Sequence, residues 1–133
     1  MKPILAITMG DPAGVGPEIA VKALADPAIY DDCRPLVVGS PFIMRRATEF
    51  TGKPDIRINE IGSVAEARFE CGVIDVLDPG LEKMEEVVPG KVSAVAGEAA
   101  FKCVVKAIEM AMAKEVDGTV TNPLNKEAIN LAG

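Results

Sequence analysis

The sequence predicts an α/β fold in which a mostly parallel sheet is flanked by helices. Three observations carry that prediction. Short apolar runs rich in strand-forming residues recur at Ile4 to Ile7, Pro35 to Val38 and Val73 to Leu77. Helical patterns separate them, and glycine or proline marks the junctions, as at Gly10 to Pro17 and Gly39 to Pro41. Consecutive strands joined by helices pair in parallel through right-handed crossovers. With 133 residues, 49% of them hydrophobic, the chain is long enough for one domain with a sizeable core.

The first strand, Ile4 to Ile7, runs through a glycine-rich turn into a helix. Pro17 suits the first helical turn, where its missing N–H costs nothing, and Glu18 complements the positive end of the helix dipole. Ile19, Ala20, Ala23 and Leu24 are expected to be its buried face. Asp26-Pro27 and Asp31-Asp32 read as a connection before the second strand, Pro35 to Gly39. Ser40 is placed to cap the next helix with Pro41 in its first turn. Phe42, Ile43, Met44 and Ala47 are expected to face inward, and Gly52 followed by Pro54 ends that helix. Ile56 and Ile58 alternate with Arg57 and Asn59 as in a half-exposed strand, and Ser63 to Glu66 has capping-box spacing for a short helix through Phe69. After the strand Val73 to Leu77, the stretch Asp78 to Lys91 reads as irregular.

The longest helical pattern runs from Ser93, its cap, to about Glu115. Ala100, Phe101, Val104, Val105, Ile108, Ala111 and Met112 are its expected core face, with Glu98, Lys102, Lys106 and Glu109 opposite. Val116 to Val120 follows as a strand. Asn122-Pro123 then opens a last helix with apolar positions Leu124, Ala128, Ile129 and Leu131.

Two junctions carry candidate chemistry. Gly10, Gly14 and Gly16 form a loop between strand and helix whose free N–H groups suit an anion. Its spacing fits neither nucleotide template. A dinucleotide fingerprint begun at Gly14 needs glycine where Ile19 stands, and a Walker A loop begun at Gly10 needs glycine and lysine where Val15 and Gly16 stand. The same residues also suit a turn that only lets strand and helix pack closely. Asp11 either orients a substrate hydroxyl or a backbone amide across the cleft, or starts an ordinary Asp-Pro turn. The second junction, Thr121-Asn122-Pro123-Leu124-Asn125-Lys126, lies at the carboxyl end of a strand, where open α/β sheets bind ligands. There Asn122 caps the helix, the N–H groups of Leu124 and Asn125 face an anion, and Lys126 adds positive charge. An ordinary cap and a solvated lysine account for the same residues. Lys91 reads as a surface charge, with a phosphate or a neighbouring subunit as its alternative partner.

Composition narrows the partners. A net charge of −6 without a basic run argues against nucleic acid and anionic membrane surfaces. No signal peptide and no apolar run of roughly 18 residues is seen. Cys33, Cys71 and Cys103 are widely spaced without a C-x-x-C pair, so they read as inert thiols of a reducing cytoplasm rather than a disulfide framework or zinc site. The chain has no histidine, the commonest catalytic metal ligand and general base, so no metal ligand is assigned to it.

The run Ile7-Thr8-Met9-Gly10-Asp11-Pro12-Ala13-Gly14-Val15-Gly16-Pro17-Glu18, with Gly90-Lys91-Val92-Ser93-Ala94 and Thr121-Asn122-Pro123-Leu124-Asn125-Lys126 in the same order, resembles the 4-hydroxythreonine-4-phosphate dehydrogenase family. That family includes relatives acting on 4-phospho-D-threonate and 4-phospho-D-erythronate, and Asn122 and Leu124 look more like this branch. The resemblance implies a two-lobe fold similar to isopropylmalate dehydrogenase, of which residues 1–133 are the amino-terminal α/β portion. It implies oxidation of a phosphorylated hydroxy acid with NAD or NADP followed by decarboxylation, a divalent metal, a homodimer when full length, and a cytoplasmic location. It also implies that Thr121, Asn122, Pro123 and Lys126 border the cleft. The three histidines that hold the family's metal, and a Gly-His-Thr segment at the substrate phosphate, are expected beyond Gly133. The chain alone is expected neither to bind metal tightly nor to turn over. Two other readings remain: a metal-free phosphate-handling enzyme like the phosphate acetyltransferases, and a non-enzymatic α/β binding module.

Overall fold

The computed structural model describes residues 2–122 and 126–132. Five strands form one parallel sheet in the order β3-β4-β2-β1-β5. They are β1 (Ile4–Thr8), β2 (Arg34–Val38), β3 (Arg57–Ile61), β4 (Val73–Leu77) and β5 (Gly118–Val120). The helices are α1 (Gly16–Leu24), α2 (Pro27–Asp32), α3 (Pro41–Phe50), α4 (Ala94–Met112) and α5 (Lys126–Ala132). Among the described residues, no helix is long and apolar enough to cross a membrane.

Runs such as Leu36-Val37-Val38 are fully buried because a parallel sheet is covered on both faces. The chain moves from β1 through β2 to β3 toward one edge by way of α1 and α3, and from β4 to β5 toward the other by way of α4. Right-handed crossovers then put α1 and α3 on one face and α4 on the other. α1 packs on α3, and α5 packs on α4. β1 pairs with β2 from Ile4↔Arg34 to Thr8↔Val38, and with β5 from Leu5↔Gly118 to Ile7↔Val120. Asp117 secures the second pairing twice: its carboxylate accepts from the Ile4 amide at 2.8 Å, and its own amide donates to the Ile4 carbonyl at 2.8 Å.

The α/β class, the strands and the caps at Ser40 and Ser93 agree with the sequence. Several faces do not. α1 buries Gly16, Pro17, Ala20, Val21 and Leu24, while Ile19 is 42% exposed and Ala23 is also on the surface. The helix begins at Gly16, tight under the loop, and this turns its contact stripe by one position. The expected connection at Asp26 to Asp32 contains α2, capped where the Asp26 carboxylate accepts from the Ala28 amide at 2.9 Å. The short helix expected through Phe69 is a single turn, Val64–Glu66. The Glu66 carboxylate does take the amides of Gly62 and Ser63, but those of Arg68 and Phe69 bond instead to the buried Asp75 carboxylate in β4. Phe42 points outward, 48% exposed.

The largest departure is on α4. Its buried side is Ala96, Gly97, Ala99, Ala100, Cys103, Ala107 and Met110, mostly small residues. Phe101, Val105, Ile108 and Met112 are exposed. α5 crosses so closely that a Cβ built on Gly97 would stand 1.9 Å from the Ala128 carbonyl oxygen. Small residues permit that approach, and larger ones are displaced to the opposite side.

Candidate functional site

All strands being parallel, the carboxyl ends of β1, β2, β4 and β5 open on one edge of the sheet. β1 lies between β2, reached directly through α1 and α2, and β5, reached by the long return through α4. Such a divergence of connections is where α/β sheets place ligands.

The loop after β1 is built from its own polar groups. Thr8 is 1% exposed; its hydroxyl accepts from the Asn122 amide at 3.2 Å, and its carbonyl accepts from Asn122 Nδ2 at 2.9 Å. Met9 is fully buried, donates its amide to Val38, and receives the Ser40 amide on its sulfur at 3.5 Å. Gly10 turns the chain at φ +77°, a region open to glycine. Asp11, 6% exposed, accepts from the Ala13 amide at 2.9 Å through its carboxylate and from the Gly14 amide at 3.0 Å through its carbonyl. These bonds consume the Ala13 and Gly14 donors. The first turn of α1 adds the amides of Gly16 and Glu18, its starting N–H groups without an intrahelical partner, while Pro17 has none.

Gly16 is required by approach: a Cβ there would lie 2.3 Å from the Met9 carbonyl oxygen and 3.3 Å from Asn122 Cβ. Gly14 has ordinary room, its nearest neighbour to such a carbon being Asp11 Cβ at 3.5 Å. The structure thus brings Gly16 and Asn122 together, with Asp11 in the same loop as Gly16, while Thr121 stays on the surface. Asn122 donates Nδ2 to the Thr8 carbonyl, and its expected capping of the last helix falls on residues that are not described. Pro123, Leu124 and Asn125 lie outside the described residues. Lys91 is exposed, and Ser93 accepts from the Ala96 amide as a cap.

Three features were not legible in the sequence. The Thr8–Asn122 link joins positions 114 residues apart and leaves no local trace. Gly39 receives Met9: a Cβ on it would fall 2.6 Å from Met9 Cβ, an approach that a glycine after a strand does not by itself reveal. Arg46 donates from Nη1 to the Val87 carbonyl at 2.8 Å, and burial lowers its pKa from the ordinary value. Burial pushes the Cys103 thiol up to about 12, assisted by Asp78, and burial followed by Asp32 raises that of Cys33; Cys71 is exposed. Among the described residues no group of three or more His, Cys, Asp or Glu is arranged to hold a metal. With histidine absent from the sequence, these residues do not fit a divalent-metal centre.

A family model described as pyridoxal phosphate biosynthetic protein PdxA matches residues 31–133. The D-threonate 4-phosphate dehydrogenase of Cupriavidus necator is 42% identical over 132 residues, covering 98% of this chain and 39% of the relative. Among solved structures, a 4-hydroxythreonine-4-phosphate dehydrogenase from Burkholderia phymatum superposes with a TM-score of 0.95 at 42% identity, covering all of this chain and 40% of that one. A terephthalate 1,2-cis-dihydrodiol dehydrogenase from Burkholderia xenovorans does so at 0.73 and 32% identity, covering 98% and 37%. The chain thus spans about two-fifths of the length of the proteins it matches.

Proposed function

The chain belongs to the pyridoxal phosphate biosynthetic protein PdxA family, and from that premise we propose that it is the amino-terminal α/β portion of a dehydrogenase acting on a phosphorylated hydroxy acid. The substrate is of the D-threonate 4-phosphate type, oxidised with NAD or NADP and then decarboxylated. The observation that carries this reading is the convergence of the Asp11 to Gly16 loop and Asn122 at the point where the sheet's connections diverge. In this role the residues shape one wall of a cleft. Asp11 folds the loop, Gly16 lets α1 begin against Met9, and the first-turn amides of α1 offer neutral donors to the substrate's anionic groups. An acidic chain that holds an anion through oriented N–H groups avoids the desolvation cost of a buried lysine.

The metal does not fit the residues present, and the glycine spacing is not that of a dinucleotide fingerprint, so no step through either group is assigned here. The reading places the metal ligands, the Gly-His-Thr phosphate segment and the second lobe of an isopropylmalate dehydrogenase-like fold in polypeptide beyond these residues.

The test joins residues 1–133 to the remainder of the Cupriavidus necator relative. With D-threonate 4-phosphate, a divalent metal and NAD or NADP, the chimera is expected to form NADH or NADPH, while the 133-residue chain forms none. A folded but inactive chimera beside an active parent would overturn the reading. Acyl-phosphate turnover by the 133-residue chain would favour the phosphate acetyltransferase-like alternative.

A further inference from the structure

We infer that Arg46 is a positioning residue that locks the glycine loop after β1 to the segment leading into α4, and so sets where the α1 donors stand; only this functional consequence rests on the reading above. Arg46 leaves α3 at a half-buried position and reaches two carbonyls from separate segments. Nη1 donates to Val87 at 2.8 Å, and Nη2 donates to Pro12 at the long distance of 3.5 Å. Phe42 and Phe50, one turn to either side on the same helix, hold the guanidinium with ring centroids 6.0 and 5.9 Å from its central carbon. The ion pairs among the described residues, Arg45–Glu60 and Glu98–Lys102, do not involve it. Its charge is therefore used on backbone carbonyls, where a rigid fork with several donors can hold two strands of chain at once.

A second tie joins the same segments: the Gly90 amide donates to the Ala13 carbonyl at 2.6 Å. Pro12, Gly14, Arg46 and Pro89 line one small cavity, so the two ties bracket the bend of the loop. Between Asp78 and Ser93 the chain has only the single turn Met84–Glu86 as regular structure. Without Arg46 that segment and the loop would be joined chiefly through Gly90. Lysine at this position keeps the charge and the aromatic contacts, but its single nitrogen on a flexible stem does not bridge two carbonyls in fixed geometry.

The test is residue-resolved amide hydrogen exchange on the 133-residue chain with Arg46→Lys and Arg46→Met. Ala13, Gly14 and Gly90 are expected to exchange about ten- to a hundredfold faster in both variants, the scale of losing a charged hydrogen bond. Val37, Val38 and Ile74 in the sheet are expected to keep their rates, and Arg46→Lys its thermal midpoint. Unchanged loop exchange in both variants would overturn the inference, as would an equal loss in loop and sheet, which marks a merely structural residue. If Arg46→Met does not fold, Arg46→Lys decides by the same criteria. The exchange pattern does not depend on turnover, so an inactive chimera would leave it standing, and unchanged exchange would leave the dehydrogenase reading standing.

Discussion

Cys103 is fully buried, and its thiol, ordinarily near 9.0, is pushed up to about 12 by burial and by Asp78. The folded chain therefore holds a proton that the unfolded chain releases from about pH 9 upward. Its contribution to stability is complete below that pH and is lost as the pH rises toward 12, at up to about 1.4 kcal/mol per pH unit. Tyr30 shifts in the same direction, first through burial and then through Cys71, so its contribution declines at still higher pH. Urea unfolding at pH 8, 9 and 10 is expected to show falling stability above pH 9, and Cys103→Ala is expected to flatten that fall. An unchanged slope in Cys103→Ala would refute the assignment. At the same scale the sequence was partly readable. Gly10, Gly14 and Gly16 stand out together in the sequence, but the fold separates Gly10, needed for its φ, from Gly16, needed for a 2.3 Å approach, and leaves Gly14 ordinary room. Asp11, left open between two roles, makes the hydrogen bonds of an Asp-Pro turn.

Helix α4 shows what periodicity can and cannot decide. Its extent and its cap at Ser93 followed from pattern, whereas its rotation did not, because the hydrophobic period records apolarity and ignores size. Phe101, Val105, Ile108 and Met112 recur at helical spacing and form an apolar stripe, yet the contact made by α5 admits only the small side. Two substitutions separate these faces. Gly97→Ala sets a methyl group against the Ala128 carbonyl, which belongs to backbone and cannot swing aside, and is expected to cost about 1–3 kcal/mol. The loss would be read in urea unfolding, together with faster proteolysis within α5. Ile108→Glu, at a position 49% exposed, is expected to change stability by no more than about 0.5 kcal/mol. If Ile108 were the core residue its pattern suggests, burying an unpaired carboxylate would unfold the chain. The displaced face of α1 and the short turn at Val64–Glu66 have the same kind of cause: contacts from elsewhere in the fold outrank a local preference.

At the scale of the molecule, the alternation of strands and helices made the α/β class and parallel pairing legible, since few topologies accommodate that order. The strand order was not legible, because nothing local states that β4 inserts between β2 and β3 or that β5 returns beside β1. The candidate site inherits that division. Its glycines and its asparagine are visible as residues, but their meeting depends on the return through α4. The Thr8–Asn122 link, spanning 114 residues, also has a consequence for the order of folding. β1 can pair with β2 while the chain is still short, since only α1 and α2 separate them. Its other edge waits until β5, more than a hundred residues on, and the entropy of closing so long a loop falls on that pairing. On a ribosome, β1 would pair with β2 well before β5 emerges to pair with its other edge. The β1 edge beside the cleft therefore stays open to mispairing until β5 arrives.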